Sequence, residues 1–206
     1  MSTSRACALG LALALCAATA AAAGEVRGRV ALGVQGVSLE DTGPIVVYLE
    51  SAGPALHFDL PKRQLEIHQK DASFAPSFLV IAAGETVVMP NDDVIFHNVF
   101  SYSTPNDFDL GLYPRGESRA KTFQYPGVVR IYCSIHESMN ATIFVAPSIW
   151  HAVAGAHGEF AIRDVPPGKY RLRTWNRRLP PASQTVDVDG NKAVTADLVV
   201  AAGSGP

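Results

Sequence analysis

The sequence predicts an all-β protein on three observations. Glycine and proline are spread along the whole chain, the apolar runs are short, and those runs are rich in Val, Ile, Phe and Tyr. Longer apolar periods of the helical kind are missing; only 107–112 reads as a short helix.

Residues 1–23, MSTSRACALGLALALCAATAAAA, precede the first predicted strand. Arg5 comes before an apolar run from Ala6 to Ala18 and a small-residue tail. That is the order of a secretory signal, with cleavage after Ala21, Ala22 or Ala23. The run is too short to span a bilayer, and no later stretch is long and apolar enough to do so. Leu15 before Cys16 speaks against a lipoprotein signal. Export places the mature chain, about 183 residues, outside the cytoplasm, in the periplasm if the source is a Gram-negative bacterium. Cys7 and Cys16 leave with the signal, so Cys133 has no internal disulfide partner and its presence calls for a chemical reason.

Strands are predicted at 26–32, 45–50, 64–69, 78–82, 85–89, 95–101, 118–123, 127–133, 141–145, 159–162, 170–175, 184–188 and 193–200. Turn residues separate them: Ala83-Gly84, Pro90 to Asp93, Pro114 to Gly116, Pro126-Gly127, Pro166 to Gly168 and Asp189 to Asn191. Pro167-Gly168 suits the centre of a type II turn, and Asp189-Gly190 is a hairpin signal. Beyond Pro147 the stretch GEFAIRDVPPGKYRLRTW reads as a hairpin in which Phe160 and Ile162 share a face and Tyr170 and Leu172 alternate, so a boundary falls near 146–148. The two N-terminal strands are marginal alone. Either they extend the middle unit (61–147), or 24–60 and 148–203 form one small sandwich with the middle unit inserted.

Charge narrows the partners. The formal charge is −2, and becomes −3 once Arg5 is removed, with 16 basic against 19 acidic side chains. A nucleic-acid partner would need a basic stripe that this chain lacks. The cluster from Lys169 to Arg178 reads as the solvated face of a strand.

The chemistry concentrates in YCSIHESMNATIFV. Cys133, His136 and Met139 lie three residues apart on one loop between two strands, and His97 in VIFHNV offers a second imidazole 36 residues upstream. Val129, Ile131 and Cys133 share a strand face, which puts the sulfur at a sandwich rim beside the core. Thiolate, two imidazoles and a weak thioether are the donor set of a trigonal copper site with an axial methionine. A short loop lets three donors close on one ion; the fourth comes from a neighbouring strand. Taken singly, Cys133 reads as a small buried hydrophobe, and His97 and Met139 as core residues. The pattern reverses those readings. His57, His68, His151 and His157 read as surface or loop residues, Met89 as core and Glu137 as a solvated carboxylate.

With these residues in place, FAPSFLVIAAGETVVMPNDDVIFHN and YPGVVRIYCSIHESM resemble the two ligand halves of a cupredoxin over about residues 64–146. The Pro126-Gly127 before the last strand and Asn98 after His97 fit the resemblance, and the His136–Met139 gap resembles the amicyanin-type loop. The resemblance implies a Greek-key β-sandwich holding one copper ion, cycling Cu(I)/Cu(II), on His97, Cys133, His136 and Met139. It also implies that Asn98 and Ser134 tie the two ligand loops together. The wider chain resembles exported methylamine-utilisation-like proteins with a carboxypeptidase-regulatory-like or Cna-B-like sandwich, which favours the inserted arrangement. The implied function is single-electron transfer rather than enzymatic catalysis, with a c-type cytochrome or a dehydrogenase as redox partner. A copper chaperone or store with the same ligands ranks second, because such proteins carry more Met and His than Met89 and Met139 supply. A Cys133–His136 nucleophile ranks third, since no acid or amide completes it in the sequence. Zinc on Cys and two His is disfavoured by a methionine fourth donor.

Overall fold

The structure is a computed structural model describing residues 23–33, 38–190 and 192–200, so the expected signal at 1–23 lies outside it except for Ala23. The chain opens with β1 (Gly24–Leu32), a single helical turn α1 (Leu39–Thr42) and β2 (Val46–Ser51). The middle contributes β3 (Leu65–Glu66), β4 (His68–Lys70), β5 (Ser73–Ala75), β6 (Phe78–Ala82), β7 (Thr86–Pro90), β8 (His97–Ser101), β9 (Phe108–Tyr113), β10 (Ser118–Thr122), β11 (Gly127–Tyr132) and β12 (Asn140–Ala146). The last part adds β13 (His151–Val153), β14 (Glu159–Val165), β15 (Gly168–Trp175), β16 (Ser183–Val188), β17 (Ala193–Thr195) and β18 (Leu198–Val200). Nearly every regular element is a strand.

Strand pairing divides these elements into two sets. The sheet β6-β12-β11-β8-β9 and the sheet β10-β7-β3 enclose one core. Its layers are Ile81, Val99, Val129, Ile131, Ile143 and Val145 from the first sheet and Leu65, Val87 and Met89 from the second. A second core lies between β13-β2-β15-β16 and the strands around β1. There Val26, Val30, Phe160 and Ile162 meet Val47, Leu49, Leu172 and Val186. β1 and β2 thus pair only with strands from beyond residue 150, while the described strands of 65–146 pair only among themselves.

The runs Val46–Leu49 and 143–146 are apolar without alternation because both of their faces are covered. Val47 and Leu49 face one core. Val46 and Tyr48 turn the other way, against Phe144, Ala146, Phe78, Val80, Val128 and Trp175. Trp175 stacks on Phe144 at 4.8 Å and on Phe78 at 5.9 Å, and Tyr48 meets Phe144 at 5.3 Å. This aromatic seam joins the two units.

Several sequence expectations are corrected. The segment 107–112 is not helical: 108–113 is an edge strand, β9, paired with β8 across a register shift between Asn98 and Phe100. The 159–175 segment is not a hairpin, because β14 pairs with β1 whereas β15 pairs with β2 and β16. Gly168 is already the first residue of β15 at φ 158°, far from the φ near +80° of a type II turn. Asp189-Gly190 likewise carries the chain from one sheet to the other, β16 to β17, rather than closing a hairpin. The predicted 64–69 and 193–200 strands are each broken in two, and β5 and β13 are additional short strands.

Candidate metal centre

The centre forms where two chain segments meet at one end of the five-stranded sheet. β11 alternates strictly: Val129 and Ile131 are buried, Arg130 is exposed, and Cys133, one residue beyond the strand, continues the inward face at 5% exposure. Cys133 N–H donates to the Met139 carbonyl at 3.2 Å, and Met139 N–H donates to the His136 carbonyl at 3.0 Å. These two bonds close the loop tightly, holding its exposed residues Ser134, Ile135, Glu137 and Ser138 outward. β8 delivers His97, fully buried, from the neighbouring strand.

Of the four donors the sequence singles out, the structure gathers three, His97, Cys133 and His136. Cys133 Sγ lies 3.6 Å from His97 Nδ1 and 3.9 Å from His136 Nδ1. The three donor atoms all lie within 4.8 Å of one another, and the two imidazole centroids are 4.9 Å apart. Metal–sulfur and metal–nitrogen bonds of about 2.3 and 2.0 Å, set at a trigonal angle, place S and N about 3.7 Å apart, so the spacing suits one bound ion. His136 is half-buried and so marks the solvent side of the cluster. Met139 is 1% exposed and packs in the same core cluster as Cys133. Its backbone closes the loop; its sulfur is the remaining sequence-predicted donor.

Hydrogen bonds lock the two segments in register. Asn98 Oδ1 accepts from Ser134 N–H at 2.7 Å and from Ser134 Oγ at 2.9 Å, the tie the resemblance implies. Asn91, fully buried, donates through Nδ2 to the Ile95 and Tyr113 carbonyls at 2.9 Å each, which fixes the turn before β8. Tyr113, opposite His97 on β9, donates its hydroxyl to the Met89 carbonyl at 2.8 Å.

Burial pushes the Cys133 thiol up. The N–H groups of Asn98 and Ile135 and the two imidazoles outweigh it and bring the thiol down to about 6. The metal-free centre therefore presents a thiolate at neutral pH, the form that binds metal.

The sequence reading passed over Asp93. Its carboxylate Oδ2 sits 3.0 Å from His97 Nε2 and accepts from Ala72 N–H at 2.9 Å, while Oδ1 accepts from Val94 N–H at 2.8 Å. In the sequence it looked like one more residue of a polar turn; the available signal was an acid four residues before a candidate ligand. Of the remaining histidines, His57 and His157 are exposed as expected. His68 bridges Asp92 and Glu66, and His151, half-buried, bonds the Ser148 carbonyl.

No protein-family model and no curated protein matches the chain. Solved structures do. A purple cupredoxin from Nitrosopumilus maritimus is 24% identical, covering 40% of this chain and 100% of its own, at a TM-score of 0.37. Amicyanin from Paracoccus versutus is 22% identical over 48% of this chain and 96% of its own, also at 0.37. An oxidised amicyanin variant is 17% identical over 42% and 86%, at 0.38. Each likeness extends over less than half of this chain.

Proposed function

We propose that this protein is an exported, mononuclear blue-copper protein that passes single electrons through His97, Cys133, His136 and Met139. One observation carries the reading: a buried thiolate with two imidazole Nδ1 atoms at 3.6 and 3.9 Å. Thiolate and thioether favour Cu(I), and imidazole accepts Cu(II). Strands and buried hydrogen bonds hold the donors in one geometry for both oxidation states, so little reorganises when an electron moves. Residues 61–147 would form the copper unit, with 24–60 and 148–203 as one flanking sandwich.

The ligand loops also leave Val94, Phe96 and Ile135 exposed, at 76%, 55% and 51%. An apolar rim of this kind suits transient contact with a redox partner, a c-type cytochrome or a dehydrogenase. Among the described residues no helix is long and apolar enough to cross a membrane.

A copper chaperone or store with the same ligands is the second reading; slow electron exchange by the loaded protein would favour it. The chain Cys133–His97–Asp93 has the order of a nucleophile, base and orienter. Yet His97 is wholly buried and Cys133 nearly so, leaving a substrate carbonyl no approach.

Titration of the mature protein with Cu(II) tests the assignment. The expected result is an intense thiolate-to-copper absorption band in the visible that bleaches on reduction. Cys133→Ser abolishes it, and His57→Ala leaves it intact. A copper-loaded wild type without the band would sink the blue-copper reading; a band lost in His57→Ala would overturn the ligand set.

A further inference from the structure

We propose that Asp93 is a positioning residue that holds a proton on His97 Nε2, with Nδ1 facing Cys133, and that its negative charge lowers the reduction potential of the bound metal. This rests on the copper reading for its second half; the first half concerns the metal-free protein.

The geometry is specific. His97 has no exposure, so its ring can satisfy Nε2 only from within the protein. Asp93 Oδ2 at 3.0 Å accepts that proton, and Nδ1 faces the Cys133 sulfur at 3.6 Å. A carboxylate on the far nitrogen of a metal-bound imidazole sets the tautomer and raises its donor strength. A stronger, more anionic donor favours Cu(II) over Cu(I).

The carboxylate is itself held in place from two sides. Oδ1 accepts Val94 N–H and Oδ2 accepts Ala72 N–H, while Asp93 N–H donates to Asn91 Oδ1 at 2.9 Å. Ala72 sits at the tip of the β4–β5 hairpin, where Asp71 and Ala72 both adopt left-handed backbone at φ 52° and 49°. Two successive left-handed residues make a tight two-residue turn, unusual where neither is Gly or Asn. The tip so formed directs the Ala72 N–H at Asp93.

Redox titration of the copper-loaded protein separates this from a merely structural role. Asp93→Asn keeps the visible band but weakens Cu(II) relative to Cu(I) about tenfold, the lower end for loss of such a partner. For a one-electron couple that raises the potential by about 59 mV. Asp92→Asn removes an equal charge from the adjacent residue, which bonds His68 and not His97, and shifts the potential by less than half as much. An unchanged potential in Asp93→Asn, or an equal shift in Asp92→Asn, overturns the proposal. Nitrogen NMR of the metal-free wild type reads the tautomer directly. A proton on Nε2 of His97 is expected; an unprotonated Nε2 overturns the proposal even if no Asp93 variant folds. If the wild type binds copper without a blue band, the functional reading fails, and the NMR result still decides the role of Asp93.

Discussion

Cys133 shows how much a single position owes to its surroundings. Desolvation alone would raise its thiol above 9.0, yet two backbone N–H groups and two imidazoles bring it to about 6. Because the folded value lies below the unfolded one, the thiolate contributes stability above the unfolded value, and that contribution is lost as pH falls through about 6. The ultraviolet thiolate absorbance of the metal-free protein should therefore titrate with a midpoint near 6. Copper binding should weaken below that pH as protons compete for the sulfur. A midpoint near 9 would mean that the hydrogen bonds from Asn98 and Ile135 do not form. The gathering of His97, Cys133 and His136 was legible, because C-x-x-H places two of them on one loop and His-Asn stands out on an apolar strand. Asp93 was not legible as a partner of His97. Its role depends on a hairpin tip over twenty residues upstream, and nothing in PNDD distinguishes Asp93, which meets His97, from Asp92, which meets His68.

The hairpin β4–β5 extends that contrast to elements. It is three residues long on each side and touches the loop before β8 through His68 and the Gln69 carbonyl to Asp92 and through Ala72 to Asp93. Its histidine is raised above the ordinary value, mainly by the hydrogen bond to Asp92, with Glu66 adding and burial opposing. A raised folded value means stability that is fully present below the unfolded value of 6.5 and is lost as pH rises through the folded one. The Tm difference between wild type and His68→Gln should be widest below pH 6.5 and close at higher pH; a difference that grows with pH would refute the clamp. Strand positions were legible from alternation, as in β11 and β15, where buried and exposed residues follow the two-residue period. Sheet membership was not. Proline-glycine and Asp-Gly mark where the chain turns, but a turn into the same sheet and a crossing to the facing sheet use the same residues. That is why both predicted C-terminal hairpins proved to be crossings. The edge strand β9 escaped because its partly exposed residues and left-handed Gly111, φ 67°, break the alternation that would announce a strand.

At the scale of the whole molecule, the seam decides whether the two cores behave as one body. Tyr48 and Trp175 leave the sheet of one unit on the face opposite its core, and Phe144, Phe78 and Val128 do the same on the other. The sequence hinted at this only through two non-alternating runs, VVYL and IFVA, whose second face had no assigned partner. Trp175 is the centre of the stack, within 6 Å of both Phe144 and Phe78 by ring centroids (4.8 and 5.9 Å). Trp175→Ala removes both contacts. Because Trp175 is only half-buried, the loss should fall near the lower end for such truncations, about 3 kcal/mol. The loss falls on the coupling between units, since each keeps its own core. Calorimetry should then resolve two unfolding transitions in the variant where the wild type shows one. The candidate metal centre should not respond. Cys133 lies five residues along from Val128, about 16 Å at the strand rise of about 3.3 Å per residue. The visible band and potential of copper-loaded Trp175→Ala should match wild type. A variant that still melts in a single transition, with Tm unchanged, would show that the seam is contact without coupling. One whose band is altered would show that the second core helps shape the metal centre.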